Sequence, residues 1–245
     1  MKYFIPILLL ALWASCTRPY DVIAVDDEGM IVLEENGEDA LIESIIAPYR
    51  AELEGEMNTV LCQNEKALIK ARPESGLGNF VSDLCLEQAR ALDPDPIDFG
   101  LFNHGGLRTA LPQGDITVGK IFELMPFENE LIVVELPYEQ VMVMLDYLIA
   151  RGGEPVADLR LHAMGDSIVD VTVQGQALEQ RSYRVVTSDY LAGGGDRMVF
   201  LTEENRIDQK VLGMKIREAI MSHCRELGQE GKIIKADTDG RIILE

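Results

Sequence analysis

Apolar residues recur at helical spacing at Leu41, Ile45, Ile46, Tyr49 and Leu53, which predicts a helix over residues 41–57. A second amphipathic helix is expected over 77–92, opened by a turn at Gly76-Leu77-Gly78-Asn79. Between them, the apolar run within 61–69 predicts a strand. Further strands are expected at 97–102, 130–136, 159–162, 168–173, 183–187 and 242–244. Shorter helices are expected at 118–124 and 138–149, the latter followed by the turn residues Gly152 and Gly153. Leu212, Ile216, Ile220, His223 and Leu227 step down one face and predict a long helix over 209–227. Helices and strands intermix without a regular βαβ count. The pattern therefore predicts an α+β domain, a mixed sheet with packed helices, and excludes a doubly wound sheet.

The first sixteen residues follow a different rule. Met1-Lys2 leads an apolar run that ends in Ala14-Ser15-Cys16, too short for a membrane span of about 20 residues. This is a secretory signal segment, and Ala14-Ser15-Cys16 resembles a bacterial lipobox in which Cys16 becomes the lipidated first residue. Trp13 stands where leucine is usual, and the competing reading is a plain signal peptide cut nearby. Thr17 after the cysteine, by resemblance to other Gram-negative lipoproteins, favours an outer-membrane anchor facing the periplasm. Residues 17–40 are acidic and weakly patterned, a tether or short strand pair, so the main domain is expected over 41–245.

Charge narrows the partners. The 42 acidic and 22 basic residues give −20, which argues against nucleic acid and against anionic lipid bound through a basic surface. A phosphate ligand remains open, since it needs only one or two placed arginines. The three histidines, His104, His162 and His223, are scattered, and no HxH, HExxH or CxxC occurs, so no metal centre is expected in this chain. The spacing of Cys16, Cys62, Cys85 and Cys224 does not suggest a disulfide framework, and the three that remain once Cys16 is set aside are read mainly as buried thiols.

Candidate chemistry lies on the loops. Tyr183 to Thr187 reads as a strand running into Tyr190-Leu-Ala-Gly-Gly-Gly-Asp196, where an aromatic and a carboxylate flank a glycine run expected to interrupt regular structure. Asn103-His-Gly-Gly-Leu-Arg108 follows another strand and joins an amide, two glycines and a guanidinium. Pro126-Phe127-Glu128-Asn129 sets an aromatic and an amide just before a third strand. Each stretch alone also reads as an ordinary turn or a core plug. Together, Phe127, Tyr190, Arg108, Asn103, Asn129 and Asp196 suit a flat heteroaromatic ring between two plates, a polyol on the carboxylate and an anion at the arginine.

These motifs, with Gly76-Leu-Gly-Asn79, resemble in order and spacing the motif series of the 5'-nucleotidase C-terminal domain family over about residues 40–225. The resemblance implies that fold and a bound nucleoside or nucleotide. Phe127 and Tyr190 would stack on the base, Asn129 would contact it, and Asp196 would bind the ribose beside Gly194 and Gly195. Asn103 and Arg108 would face the ribose-phosphate region. Tyr190 stands where phenylalanine is usual, and Arg72 lies near, though not at, the spacing of a family arginine. In that family a separate N-terminal metallophosphoesterase domain holds two metals and performs the hydrolysis. Its metal motifs are not found here, so the resemblance implies no catalytic residue and no cofactor in this chain, with divalent metals only in a partner. Two readings follow: the nucleotide-recognition half of a split exported 5'-nucleotidase working with a separately encoded metallophosphatase chain, or a stand-alone nucleoside- or nucleotide-binding lipoprotein. A structural envelope protein that has lost its ligand is disfavoured by retention of all the ligand-type residues.

Overall fold

The structure is a computed structural model that describes residues 40–245. The signal segment, Cys16 and the acidic tether up to residue 39 lie outside the described residues. By its internal contacts the chain divides into two units, Met1–Ala47 and Pro48–Glu245. The first described helix, α1 (Ala40–Met57), forms where the periodicity predicts it. Its apolar positions are not a buried stripe, however: Leu41, Ile45, Tyr49 and Leu53 are all exposed.

The second unit is built around a five-stranded mixed sheet. Its strands are β2 (Phe99–Leu101), β4 (Glu130–Leu136), β5 (Val156–Ala157), β9 (Tyr183–Ser188) and β10 (Asp208–Lys215). They lie side by side in the order β10-β4-β9-β2-β5. Along β4, Leu131 and Val133 enter one core while Ile132, Val134 and Leu136 enter the other. That alternation is what a strand buried on both faces requires. One face is covered by α2 (Gly76–Leu92), α3 (Val118–Leu124) and α6 (Ile216–Gln229). The other is covered by α4 (Tyr138–Arg151) and by β6 (Leu159–Met164) and β7 (Ser167–Val173). Each Leu, Ile or Val fully buried there contributes about 1.5–3 kcal/mol.

The mixed β structure is spread over three sheets. A second one orders β12 (Ile242–Leu244), β6, β7 and β8 (Gln176–Ala177), and a third orders β11 (Ile233–Ile234), β1 (Val60–Asn64) and β3 (Gly114–Thr117). The arrangement is α+β. Cys62 on β1, Cys224 on α6 and Cys85 on α2 are free and buried. A bond from Cys224 lowers the Cys62 pKa, and burial pushes the Cys85 thiol up.

Two sequence expectations, at 209–215 and at Gly76–Asn79, are corrected. Residues 209–215 belong to β10 and only residues from Ile216 onward are helical. The helical spacing there crosses a junction: β10 satisfies the otherwise open edge of β4, and Gly213 at φ +69° bends the strand before the helix. Gly76 to Asn79 is the first turn of α2 itself, because the Ser75 hydroxyl caps the helix by accepting from Gly78 N at 3.0 Å. The strand expected within 61–69 is β1, which ends at Asn64 and is followed by an isolated bridge between Leu68 and Leu111.

One buried charge ties the sheet to α2. Asp93, the C-cap of α2, has no exposed side-chain surface and accepts from Arg184 of β9 at 2.6 Å and Lys210 of β10 at 2.8 Å. Burial pushes its carboxyl up, yet Lys210, the Asp95 N–H and Arg184 outweigh burial and hold it below the usual range.

Candidate functional site

Strand polarity gathers three loops at one edge of the central sheet. β2 and β9 run parallel, so the segments after Leu101 and after Ser188 leave on the same side. β4 runs antiparallel to β9 and pairs Leu131 with Ser188, so the segment entering β4 arrives there too. A cavity of about 350 Å³ opens between these loops, lined by Asn103, Gly105, Gly106, Arg108, Phe127, Asn129, Tyr190 and Asp196. All six loop side chains singled out in the sequence line it. A larger cleft of about 520 Å³ beside Phe80, His223 and Leu227 is mostly apolar and has no carboxylate in its wall.

The first loop depends on its glycines. The Asn103 side chain folds across both of them, and its Nδ2 donates to Asp196 Oδ2 at 2.5 Å. A Cβ on Gly105 would lie 3.0 Å from Asn103 Nδ2 and 3.1 Å from Asp196 Oδ2, and one on Gly106 would lie 3.0 Å from Asn103 Oδ1. Either would push the amide off the carboxylate. Leu107 plugs the core, which turns Arg108 outward, with its guanidinium 5.8 Å from the centre of the Phe127 ring.

The second loop is held from α6. Buried Arg217 donates to the carbonyls of Met125 and Phe127, each at 3.2 Å, and pairs with Glu128. Glu128 also pairs with Lys215, and bonds from Lys215 and Arg217 hold its carboxyl below the usual range. Ile216 N donates to Asn129 O at 2.9 Å, closing the loop onto the start of the helix.

The third loop starts with a single helical turn, α5 (Asp189–Ala192), capped by the Ser188 hydroxyl. A 3₁₀ turn, Gly195–Arg197, starts on the last of the three glycines, so regular structure resumes sooner than the glycine run suggests. Gly194 at φ +87° supplies the reversal. Gly195 lies against the Tyr190 ring, where a Cβ would stand 2.5 Å from Cε1 and Cζ. These two glycines do not line the cavity; they shape the wall that does. Asp196 sits at φ +52°, with its carbonyl accepting from the Tyr147 hydroxyl at 2.9 Å. Nothing in the sequence pattern singles out Tyr147.

Behind the first loop lies a polar cluster. Glu154 is buried and accepts from His104 N at 2.7 Å and from Arg72 at 2.8 Å. Arg72 also donates to the carbonyls of Arg151 and Gly153. It therefore supports the 151–154 segment and is not among the cavity-lining residues. His104 is buried with Nε2 unpartnered, and burial lowers its pKa.

The cavity offers one carboxylate among amides, aromatic rings and a guanidinium, a donor set unlike that of a two-metal centre. Its chemistry is recognition of a flat, partly apolar ligand that carries hydroxyl donors and an anionic end.

Comparison with known proteins agrees with this reading of the fold. Residues 58–203 match the family described as 5'-nucleotidase, C-terminal domain. The chain is 26% identical to the trifunctional nucleotide phosphoesterase protein YfkN of Bacillus subtilis (strain 168), aligning 90% of this chain with 16% of that protein. It is 24% identical to a 5'-nucleotidase of Vibrio parahaemolyticus, over 72% of this chain and 34% of the other. Among solved structures, the 5'-nucleotidase precursor from Thermus thermophilus superposes with a TM-score of 0.70 at 27% identity, covering 83% of this chain and 43% of that one. The chain thus spans about a sixth to a third of the two curated relatives.

Proposed function

The chain belongs to the 5'-nucleotidase C-terminal domain family, and on that premise we propose that its cavity holds a nucleoside or nucleotide with the base between Phe127 and Tyr190. In this reading Asp196 accepts from the ribose hydroxyls and Asn129 contacts the base. Asn103 and Arg108 face the ribose-phosphate region. One observation supports it above the others. Two aromatic rings, 40% and 47% exposed, share a single cavity with a carboxylate, amides and a guanidinium. Aromatics serving only as core filler are buried.

Calorimetry with adenosine and AMP tests the reading. Phe127→Ala and Tyr190→Ala should each weaken binding by about 1–3 kcal/mol, the range for base–aromatic stacking, while the proteins stay folded. Lowered melting temperatures with unchanged affinity would return both rings to a structural role.

We further propose that the chain is the nucleotide-recognition half of a split exported 5'-nucleotidase, anchored through Cys16 in the outer membrane facing the periplasm. The phosphoester bond would be hydrolysed by a separately encoded metallophosphatase chain that holds the divalent metals. The single-carboxylate donor set of the cavity suits recognition and leaves hydrolysis to metals held elsewhere. Adding the purified chain to such a phosphatase should lower its KM for AMP. An unchanged KM would instead make this a stand-alone nucleoside-binding lipoprotein. Fatty-acid labelling that survives Cys16→Ser would rule out the anchor.

A further inference from the structure

Stacking needs only a ring face, yet Tyr190 carries a hydroxyl, and that hydroxyl is fully engaged with one residue. It donates to Asp196 Oδ1 at 3.0 Å and accepts from Asp196 N at 3.3 Å. Asn103 Nδ2 takes the other carboxylate oxygen at 2.5 Å, and the Tyr147 hydroxyl holds the Asp196 carbonyl. Asp196 is therefore held at its N–H, its C=O and both carboxylate oxygens. Without such ties its side chain would be free to change rotamer, because it stands partly exposed at the cavity wall.

The number of lone pairs decides what this arrangement can accept. An ionised carboxylate has about four acceptor sites. Tyr190 and Asn103 use one on each oxygen, which leaves one on each for a ligand. Asp196 lines the cavity, so two acceptors at a fixed separation are available there. Two hydroxyl donors on adjacent carbons satisfy both; a sugar with one hydroxyl satisfies one, and a sugar with none leaves the carboxylate unmatched.

We propose that the Tyr190 hydroxyl is a specificity determinant for a vicinal diol, acting through Asp196 as a positioning residue in addition to the ring's stacking role. The inference rests on the nucleoside reading above and adds a discrimination between ribose and diol-free sugars. A phenylalanine in the same place keeps the plate and loses that discrimination. The gain comes from preorganisation: the carboxylate is ordered before the ligand arrives, so binding does not have to order it.

Calorimetric titration of adenosine and 2',3'-dideoxyadenosine into the wild-type protein and Tyr190→Phe tests this. The wild type should prefer adenosine. In Tyr190→Phe, dideoxyadenosine affinity should stay within about twofold while adenosine weakens about five- to tenfold, so that the preference collapses. Tyr147→Phe, which removes the tie on the Asp196 carbonyl and lies outside the cavity wall, should show the same selective loss in weaker form and serves if Tyr190→Phe does not fold. Parallel weakening of both ligands would mean that the hydroxyl only steadies the plate, and unchanged or tighter adenosine binding would mean that it competes with the diol. Either result overturns the proposal while leaving the nucleoside reading intact. A wild type that binds both equally has no diol preference and also overturns it. A wild type that binds neither removes the nucleoside reading and this inference with it.

Discussion

Phe127 and Tyr190 line the same cavity with similar exposure, but they are fixed by different parts of the molecule. Phe127 makes no hydrogen bond with its ring and is placed through its backbone, whose carbonyl, with that of Met125, is gripped by buried Arg217. Tyr190 is placed by its own side chain, through the hydroxyl on Asp196 and the ring against Gly195. One plate depends on a buried charge that also organises the start of α6. The other depends on local packing within seven residues. Support through a buried guanidinium couples the site to global stability, whereas local support leaves the fold largely indifferent to the site.

The largest expected effect breaks the first plate. Arg217→Ala strips charged donors from two carbonyls and from Glu128, and should cost about 2–4 kcal/mol of stability by chemical denaturation. Lysine should rescue little, because one ammonium cannot reproduce the planar fork. A variant that loses nucleoside affinity with no loss of stability would contradict the coupling described here.

A smaller and opposite result is expected at the second plate. Gly195→Ala sets a Cβ 2.5 Å from the Tyr190 ring and 2.6 Å from the Tyr190 carbonyl, so the plate and the short turn of α5 must both shift. Adenosine should bind about tenfold more weakly, roughly 1.4 kcal/mol, with a smaller loss of stability than in Arg217→Ala. Equal losses of stability in Arg217→Ala and Gly195→Ala would erase the contrast.

The smallest effect is expected at His104, on the buried side of the first loop. Burial lowers its pKa from 6.5; Glu154 opposes this, while Arg72, Lys70 and Arg151 reinforce it. A histidine whose folded pKa is depressed takes up its proton more readily when unfolded. Its contribution is intact above 6.5 and is lost as pH falls through the depressed value. Melts at a series of pH values from about 8 to 5 should show His104→Gln losing less stability on acidification than the wild type. Identical slopes would show that the imidazole carries no linked proton.

Much of this was legible in the chain. α3, β4 and β12 fall where the pattern places them: β4 and β12 are short apolar runs bounded by Pro137 and by Asp239-Gly240, and α3 is opened by the Thr117 cap. The six cavity side chains were legible because each stands beside a glycine or proline that punctuates a loop at a strand end, or two to three residues from one. β10 was not, since Leu212, Ile216 and Ile220 keep helical spacing across a strand-to-helix junction whose position is set by the edge of β4. The two-residue strands β5, β8 and β11 are too short to carry any period. Tyr147 and Arg217 look like ordinary helix residues; only tertiary packing turns them onto Asp196 and the 125–129 loop.

The parallel pairing of β2 with β9 also sets an order of events in time. Asn103 and Asp196 are 93 residues apart in the chain, and their side chains meet only because those two strands lie side by side. Closing a loop of that length is paid in entropy before any contact rewards it, so the cavity waits on the docking of β9 beside β2. On a ribosome, Asn103 emerges with no carboxylate to grip until Tyr190 and Asp196 follow. A ligand that needs Asn103 and Asp196 together would have nothing to hold while the chain is still being made.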